Sequence, residues 1–391
     1  VPVQARQRER ARVFEVPRRS GQLLARDAGR EALGVLIRTF LPALALAVTA
    51  AQLCIFLDTP LPWMIGPLFS TAIACMLGAR LSAPVQAREA GQWAIGTALG
   101  LYFSAPVLAV LARHLGWIAL AVSFAICLGM AGAVLLRRLS GEDDATAFFA
   151  MAVGGASEMA VQAERHGAVV ERVAAAHSLR IMMVVGTIPF AVRWLAAHGW
   201  GNGLDGFVPL AGRVDAAGLC VLIAVTSCAA LALKRLRVPN AWVIGPLVVA
   251  LMLTAAGVQL SRLPEWMIRA GQLFIGVSLG TRFTPAFVHT APRFLASVAA
   301  CTAVTLLLAG LFAFCVAAIT GLHPGTMVLA TSPGGIAEMA LTARVLHLGV
   351  PVVTAFHVAR MVVVVLGIGP LYRTWVRVAH STPVGSGMRD H

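Results

Sequence analysis

Apolar residues occur in long runs along this chain, at roughly 34–57, 62–79, 91–111, 116–136, 145–163, 172–195, 215–233, 241–260, 271–290, 294–319, 325–343 and 349–372. Most approach the ~20 residues that an α-helix needs to cross ~30 Å of hydrocarbon. Polar residues collect between the runs, so the pattern predicts an all-α polytopic membrane protein with about 10–12 transmembrane segments. Two runs differ. Those at 145–163 and 325–343 are divided by glycine pairs into pieces of about ten residues, each ~15 Å long as helix and so about half a bilayer.

The two divided runs match residue for residue. Ala150-Met-Ala-Val-Gly154-Gly155-Ala-Ser157-Glu158-Met159-Ala160 aligns with Ala330-Thr-Ser332-Pro333-Gly334-Gly335-Ile-Ala-Glu338-Met339-Ala340 at an offset of 180. That register holds from Gly91-Gln92 against Gly271-Gln272 to His177 and Arg180 against His357 and Arg360. Each copy also carries Trp-x-Ile-Gly-Pro-Leu, at Trp63 to Leu68 and at Trp242 to Leu247. The chain is therefore a tandem duplication: a basic tail at 1–32, repeat 1 at 33–195, a Gly-rich linker at 196–214, repeat 2 at 215–375 and a tail at 376–391. The Gly-Gln-x-x-Ile-Gly-x-x-Leu-Gly stretches at Gly91 to Gly100 and Gly271 to Gly280 are best explained by close helix packing through small residues.

Composition places the chain in a bilayer. With 59% hydrophobic and 12% charged residues and a mean hydropathy of +0.82, it is too apolar for an ordinary soluble domain. The net charge of +14 does not signal nucleic acid, because the arginines crowd the first thirty residues and the short connections, as expected of a cytoplasm-retained arm and cytoplasmic loops. The first apolar run continues into further membrane segments, so an uncleaved anchor is expected rather than a signal peptide. All seven cysteines lie in apolar runs without a C-x-x-C pair, which argues against a metal cluster. The histidines are scattered without a metallohydrolase pattern, so no catalytic residue, metal or bound cofactor is expected.

Charge placement also bears on orientation. The basic tail, Arg80 with Arg88, and Arg137 with Arg138 put alternate loops on the cytoplasmic side. Six crossings per copy would strand Lys234, Arg235 and Arg237 outside, against the positive-inside tendency. An odd number of crossings restores them to the inside, so inverted repeats are expected.

The divided runs carry the candidate chemistry. Unwound backbone at membrane depth is tolerated only where it is buried in protein or lines a cavity. A half-helix beginning after Gly154-Gly155 or Pro333-Gly334-Gly335 aims free N–H groups at that cavity, suiting an anion, while the preceding half presents carbonyls, suiting a cation. Ser157 and Ser332 add hydroxyls at the two breaks. Glu158 and Glu338 are costly at that depth, of the order of 2.5–3.5 kcal/mol, unless they face protein or water. They are candidates for proton or sodium coupling, or for structural pairing. Arg180 and Arg360 lie deep in their runs and need partners, and the acids of the same copy are the expected ones. Either arginine could instead bind substrate. His177 and His357, three residues earlier on the same faces, are either satisfied interior imidazoles or proton relays.

These motifs, with the later x-x-x-Arg-x-x-x-Val helix, resemble the AbrB membrane-protein family over about 41–375. Its bacterial members are known as regulators of aidB expression, and some carry an inherited ammonia monooxygenase label. The second copy keeps the family's Ser332-Pro333-Gly334-Gly335 intact, whereas the first has Val153 in the proline position. The Pro-Gly-Gly element more distantly resembles bile-acid:sodium symporters and sodium/proton antiporters. That resemblance implies two broken helices crossing near the midplane and ion-coupled transport of a small organic anion. The expected protein is thus a multi-pass transporter of a bacterial inner membrane, coupled to H+ or Na+. Its partners are the lipid bilayer and a small solute, not nucleic acid, and a homodimer is compatible with the sequence. A membrane-embedded regulator of gene expression is the alternative, and a membrane monooxygenase subunit the remote one.

Overall fold

The computed structural model describes residues 36–199, 213–285 and 292–381. The tail at 1–32, the greater part of the linker and the last ten residues lie outside the described residues. Every regular element described is helical. A π-helical turn, Leu36–Phe40, leads into α1 (Leu41–Phe56), followed by α2 (Pro62–Met76), α3 (Val85–Gly100), α4 (Ala105–Arg113), α5 (Leu115–Ser140), α6 (Asp144–Met151), α7 (Ala156–Arg165) and α8 (Val170–Ala197). The second copy supplies α9 (Ala216–Arg235), α10 (Ala241–Ala255), α11 (Glu265–Gly280), α12 (Pro292–Thr320), α13 (Pro324–Thr331), α14 (Ile336–Val345) and α15 (Val350–Ser381). The last helix carries on past residue 375 into the segment expected to be a tail.

Six helices are long and apolar enough to cross a membrane: α1 with its preceding turn, α5, α8, α9, α12 and α15. The number is seven if α3 and α4, bent by 87°, count as one. Large apolar side chains such as Phe56, Leu77, Leu307, Leu311 and Leu366 stay exposed on these helices and their ends, as expected of surfaces that face lipid rather than water.

The two divided runs break where the glycines predict, at 152–155 and 332–335. Their halves, however, fold back. At the start of α6, Thr146 Oγ1 accepts a hydrogen bond from Val169 N at the start of α8 (2.9 Å), and further along both helices Arg180 Nη1 donates to Ala152 O (3.1 Å). Thus α6 runs parallel to α8, and α7 between them must return. His166, just past its end, has its ring centroid 5.3 Å from that of Phe149. The second copy repeats the pattern through Gly349 N to Thr326 Oγ1 (3.0 Å) and Arg360 Nη1 to Ser332 O (2.7 Å). The expected crossing helices are therefore re-entrant hairpins. Hydropathy cannot separate the two, because a returning hairpin of two short halves is as apolar as one span.

The copies are inverted. A side chain at Gly325, where α13 begins, would meet Val192 near the end of α8 (3.1 Å), and one at Gly334, past the end of α13, would meet Val184 (3.0 Å). So α13 is antiparallel to α8 while remaining parallel to its own α15. The mirror contacts agree: Phe148 with Trp375 (5.8 Å), Phe149 with Tyr372 (5.1 Å), and Gly154 against Val364 (3.2 Å). Equivalent helices α8 and α15 hence run in opposite directions. With the hairpins returning, α1, α2, α3, α5 and α8 make the traverses of copy one, an odd number, as the charge argument requires.

Ion pairs mark the two ends of the molecule. Lys234 with Glu89 (2.6 Å), Arg137 with Asp144 and Arg172 with Glu142 share one end, the basic face. Arg193 with Asp58 and Arg344 with Glu265 (2.6 Å) share the opposite face. Helix α3 packs against α10, and α11 against α2, at distances only glycine permits. A Cβ at Gly96 would collide with Val243 O, and one at Gly276 would come within 2.7 Å of Met64 O. The small residues of the Gly-Gln motif are therefore packing residues, as expected. Hairpin entry is set by two left-handed glycines, Gly141 (φ 73°) and Gly321 (φ 69°), again 180 apart. The Asp143 carboxylate then accepts from Thr146 N at the start of α6 (2.8 Å), an N-cap.

Inversion fixes which loops share a side. Single-cysteine reporters at 138 and 235 are expected to react with an impermeant thiol reagent from the same side of sealed vesicles, and reporters at 58 and 262 from the other. Labelling that separates 138 from 235 would contradict the arrangement.

Candidate functional site

The breaks of both hairpins, brought together by the inversion, line one cavity of about 140 Å³. Of the residues singled out in the sequence, Gly154, Gly155, Glu158, His177, Arg180, Pro333, Gly334, Gly335, Glu338, His357 and Arg360 all line it. Ser332 does not. It is buried just behind the wall, its hydroxyl donating to Leu329 O (3.0 Å). Ser157 stands in the first turn of α7, and its side chain lies outside the described residues.

The arginines cap backbone rather than pair with acids. Arg180 Nη1 donates to Ala152 O (3.1 Å) and Met151 O (3.4 Å); Arg360 donates through Nη1 to Ser332 O (2.7 Å) and through Nη2 to Gly334 O (2.5 Å). Each guanidinium thus sits on the carbonyl end of the first half-helix, where the helix dipole is negative. The expected ion pairs with Glu158 and Glu338 are replaced by these bonds. Sequence shows charges but not the orphan carbonyls that a broken helix creates, which is why the acids looked like the partners. A bound cation at the carbonyl ends is equally displaced, because the arginines already occupy them.

Each histidine uses both ring nitrogens. His177 Nε2 lies 2.9 Å from Phe149 O and its Nδ1 2.7 Å from Arg180 Nη2; His357 repeats this with Leu329 O (2.9 Å) and Arg360 Nη2 (2.8 Å). The pattern assigns the proton to Nε2, with Nδ1 accepting. These are satisfied interior imidazoles that orient the guanidinium, and both are fully buried.

The glycine pair and the Glu-Met pair of each motif are one packing unit. A side chain at Gly154 would meet the Met159 side chain at 2.7 Å, and one at Gly334 would meet Met339 at 2.7 Å. A side chain at Gly155 or Gly335 would overlap the carboxylate of Glu158 or Glu338. Each acid therefore folds back over the N-terminus of its own short helix, as the third-position acid of a capping box does. Glu338 is buried and Glu158 half-buried.

Four polar lining residues are not among the sequence candidates for binding: Arg88, Gln92, Asn240 and Arg282. Gln92 had been assigned to packing. The signal that could have found the two arginines is a departure from the repeat, since Ile268 stands opposite Arg88 and Tyr102 opposite Arg282 at the same offset of 180. Arg88 belongs to the basic-face end of α3 and Asn240 to the α9–α10 turn, so the cavity leans to that face. Across the pseudo-symmetry axis Leu61, Ile268 and Gln272 are buried, so packed side chains fill the corresponding places on the opposite side. A larger cavity of about 280 Å³, near Tyr102, Arg213 and Arg262, lies at that opposite face. It contains no residue of either break and is not the site of this chemistry.

The family described as "Transition state regulatory protein AbrB" matches residues 63–376, which takes in both hairpins and all the arginines discussed. The chain belongs to the AbrB family. Among similar proteins, "Uncharacterized protein YhjN" of Bacillus subtilis (strain 168) is 29% identical over 344 residues, covering 80% of this chain and 86% of that protein. "Putative regulator AbrB" of Escherichia coli (strain K12) is 26% identical over 318 residues, covering 78% of this chain and 88% of that protein. No solved structure matches the chain.

Two pairs of variants of this AbrB-family chain test the assignments. Arg360→Met strips two buried carbonyls and His357 Nδ1 of their donor, at ~1–3 kcal/mol for each unsatisfied group, and should lower thermal stability sharply. Because Arg360 does not pair with Glu338, the losses for Arg360→Met and Glu338→Gln should add in the double variant. Gly335→Ala should cost ~1–3 kcal/mol by overpacking, and Glu338→Ala in the same chain should relieve it. Additive losses for that second pair would contradict the packing unit.

Proposed function

We propose that this multi-pass membrane protein is a secondary transporter of a small anionic solute, working in a bacterial inner membrane. The observation that carries the reading is the pair of inverted re-entrant hairpins whose tips meet at one polar cavity leaning to one face only. At about 140 Å³ the cavity is below the ~300–1,000 Å³ of sites for drug-sized ligands, so the solute is small. Arg88, Arg180, Arg282 and Arg360 outweigh Glu158 and Glu338 around it, which supports an anion. Inverted repeats supply alternating access, since exchanging the conformations of the two copies moves the opening from one face to the other.

Ion coupling rests on the acids. Each carboxylate lies over the helix N-terminus where an incoming anion would bind, so solute and ionised acid compete for one place. Protonation or sodium binding at Glu338 would lift that competition. Glu338→Gln keeps shape and hydrogen bonding but cannot ionise. Uptake of small mono- and dianions into proteoliposomes, driven by imposed pH or sodium gradients, should lose its dependence on the gradient in that variant. Unchanged gradient dependence would sink the coupling role.

Two exposed ion pairs tie the hairpin unit of each copy to the rest across the opposite face: Arg193 of α8 with Asp58, and Arg344 at the end of α14 with Glu265 of α11. Cysteines at 58 and 193, oxidised to a disulfide, should stop flux reversibly. Full crosslinking with undiminished flux would refute alternating access across this face.

A second reading is favoured by the description of the family and of its Escherichia coli relative as regulators: a membrane-embedded regulator of gene expression, acting through a cytosolic partner bound by residues 1–32. It requires no flux, and its partner binding should survive Glu338→Gln. Neither reading assigns catalysis to the chain.

A further inference from the structure

The pseudo-symmetry separates two kinds of arginine. Arg180 and Arg360 are equivalent, and both spend their donors on the carbonyl ends of α6 and α13 and on a histidine. They belong to the architecture of each hairpin. Arg88 and Arg282 have no equivalents, because the other copy puts Ile268 and Tyr102 in those places. Both line the cavity, Arg282 within electrostatic reach of Arg88, Glu338 and Glu158. Among the described residues neither has an ion-pair partner within 4 Å, and Arg88 Nε is a buried donor without a hydrogen bond. Arg180, only 4% exposed, likewise leaves its Nε unpartnered at the cavity. Four arginines around one cavity with only two carboxylates among them leave positive charge unbalanced, which is costly, so the arrangement is explained by an anion that arrives from outside.

Charge counting favours a multiply charged solute. With both acids ionised the four arginines and two glutamates around the cavity leave two positive charges in excess, and neutralising Glu338 on coupling raises the excess to three. The carbonyl ends of α6 and α13 and the N–H ends of α7 and α14 carry partial charges that cancel. We propose, as a refinement that rests on the transport reading, that the solute is a small dianion. It is gripped by Arg88 and Arg282 on the basic-face side and presented to the N-termini of α7 and α14 on the other. The two arginines make the site one-sided. An approaching dianion meets Arg88 and Arg282 at the basic face, whereas Ile268 and Tyr102 take those two places across the axis, and the arginines there, Arg213, Arg262 and Arg344, line a separate cavity. Either a dicarboxylate or an inorganic oxyanion has the required charge.

The full chain in detergent or nanodiscs, titrated calorimetrically with succinate, sulfate and propionate, tests this without any need for flux. One or both dianions should bind at least tenfold more tightly than propionate, with affinity falling as ionic strength rises. Preference for succinate over sulfate would identify a dicarboxylate, and the reverse an oxyanion. The repeat itself supplies the variants: Arg282→Tyr and Arg88→Ile install the residues the other copy carries. Each should weaken dianion binding at least tenfold, with propionate binding little changed, and Arg282→Lys should recover part of the loss. Thermal unfolding midpoints in the absence of solute identify any variant that is merely misfolded, and for such a position the lysine variant decides. Dianion binding without flux in proteoliposomes would support the site while removing the transporter reading. Flux of a monoanion that ignores both arginines would keep transport and overturn the site, as would the absence of dianion binding to folded wild-type protein.

Discussion

Everything at the centre of this molecule depends on a guanidinium seated on the broken end of a helix. A hairpin that turns back inside a bilayer leaves carbonyls without partners at its first half, each costing several kcal/mol in hydrocarbon. Water could satisfy them only if the tip were wet, and a wet tip would be a leak. Arg180 and Arg360 supply the missing donors from the next long helix, and His177 and His357 fix the direction in which those donors point. A cation at a helix C-terminus is worth up to ~2 kcal/mol in partly buried geometry. The same contact relieves the cost of burying the arginine. Neither hairpin nor arginine is tenable at this depth without the other, which accounts for their fixed separation in both copies.

The second half of each hairpin meets the complementary problem. Its N–H groups point into the cavity, and the chain answers with its own anion, Glu158 or Glu338, laid over the glycine that makes room for it. The hairpin is therefore electrically closed by the protein when no solute is present: a cation on the carbonyl end, an anion on the amide end. Only the second closure can be exchanged. The arginine is locked by three bonds inside packed helices, whereas a carboxylate over a helix N-terminus competes with any solute anion that reaches it.

Much of this was visible in the sequence, and the parts that were not have physical reasons. The duplication, the breaks at Gly154-Gly155 and Gly334-Gly335 and the depth of the arginines follow from spacing alone. So does inversion, because Lys234, Arg235 and Arg237 obey the positive-inside tendency only with an odd number of traverses. The return of α7 on α6 was not legible. It is decided by Thr146 meeting Val169, a tertiary contact that leaves hydropathy unchanged. The partners of Arg180 and Arg360 were misassigned because orphan carbonyls have no letter in a sequence. Arg88 and Arg282 were overlooked for a different reason: agreement between the copies drew attention, whereas these two residues are informative because the copies disagree.

That disagreement bears on how an inverted repeat acquires direction. Two identical copies would give a molecule whose two end states are equal in energy and equally attractive to solute at both faces. Here the copies differ at the central cavity, with Arg88 and Arg282 toward the basic face and Ile268 and Tyr102 in their places toward the other. The closing contacts differ too, since Arg193–Asp58 and Arg344–Glu265 tie hairpin helices to their surroundings only on the far side. The pairs on the basic face stay within one packing group: Lys234 with Glu89 between α9 and α3, and Arg137 and Arg172 with the α5–α6 connection. Opening the far face must break ion pairs, while among the described residues none of the basic-face pairs spans the two groups. These pairs are exposed, so each contributes little. Even so, a bias of ~1.4 kcal/mol between end states is a tenfold preference, enough to set the resting orientation without preventing the exchange that transport requires.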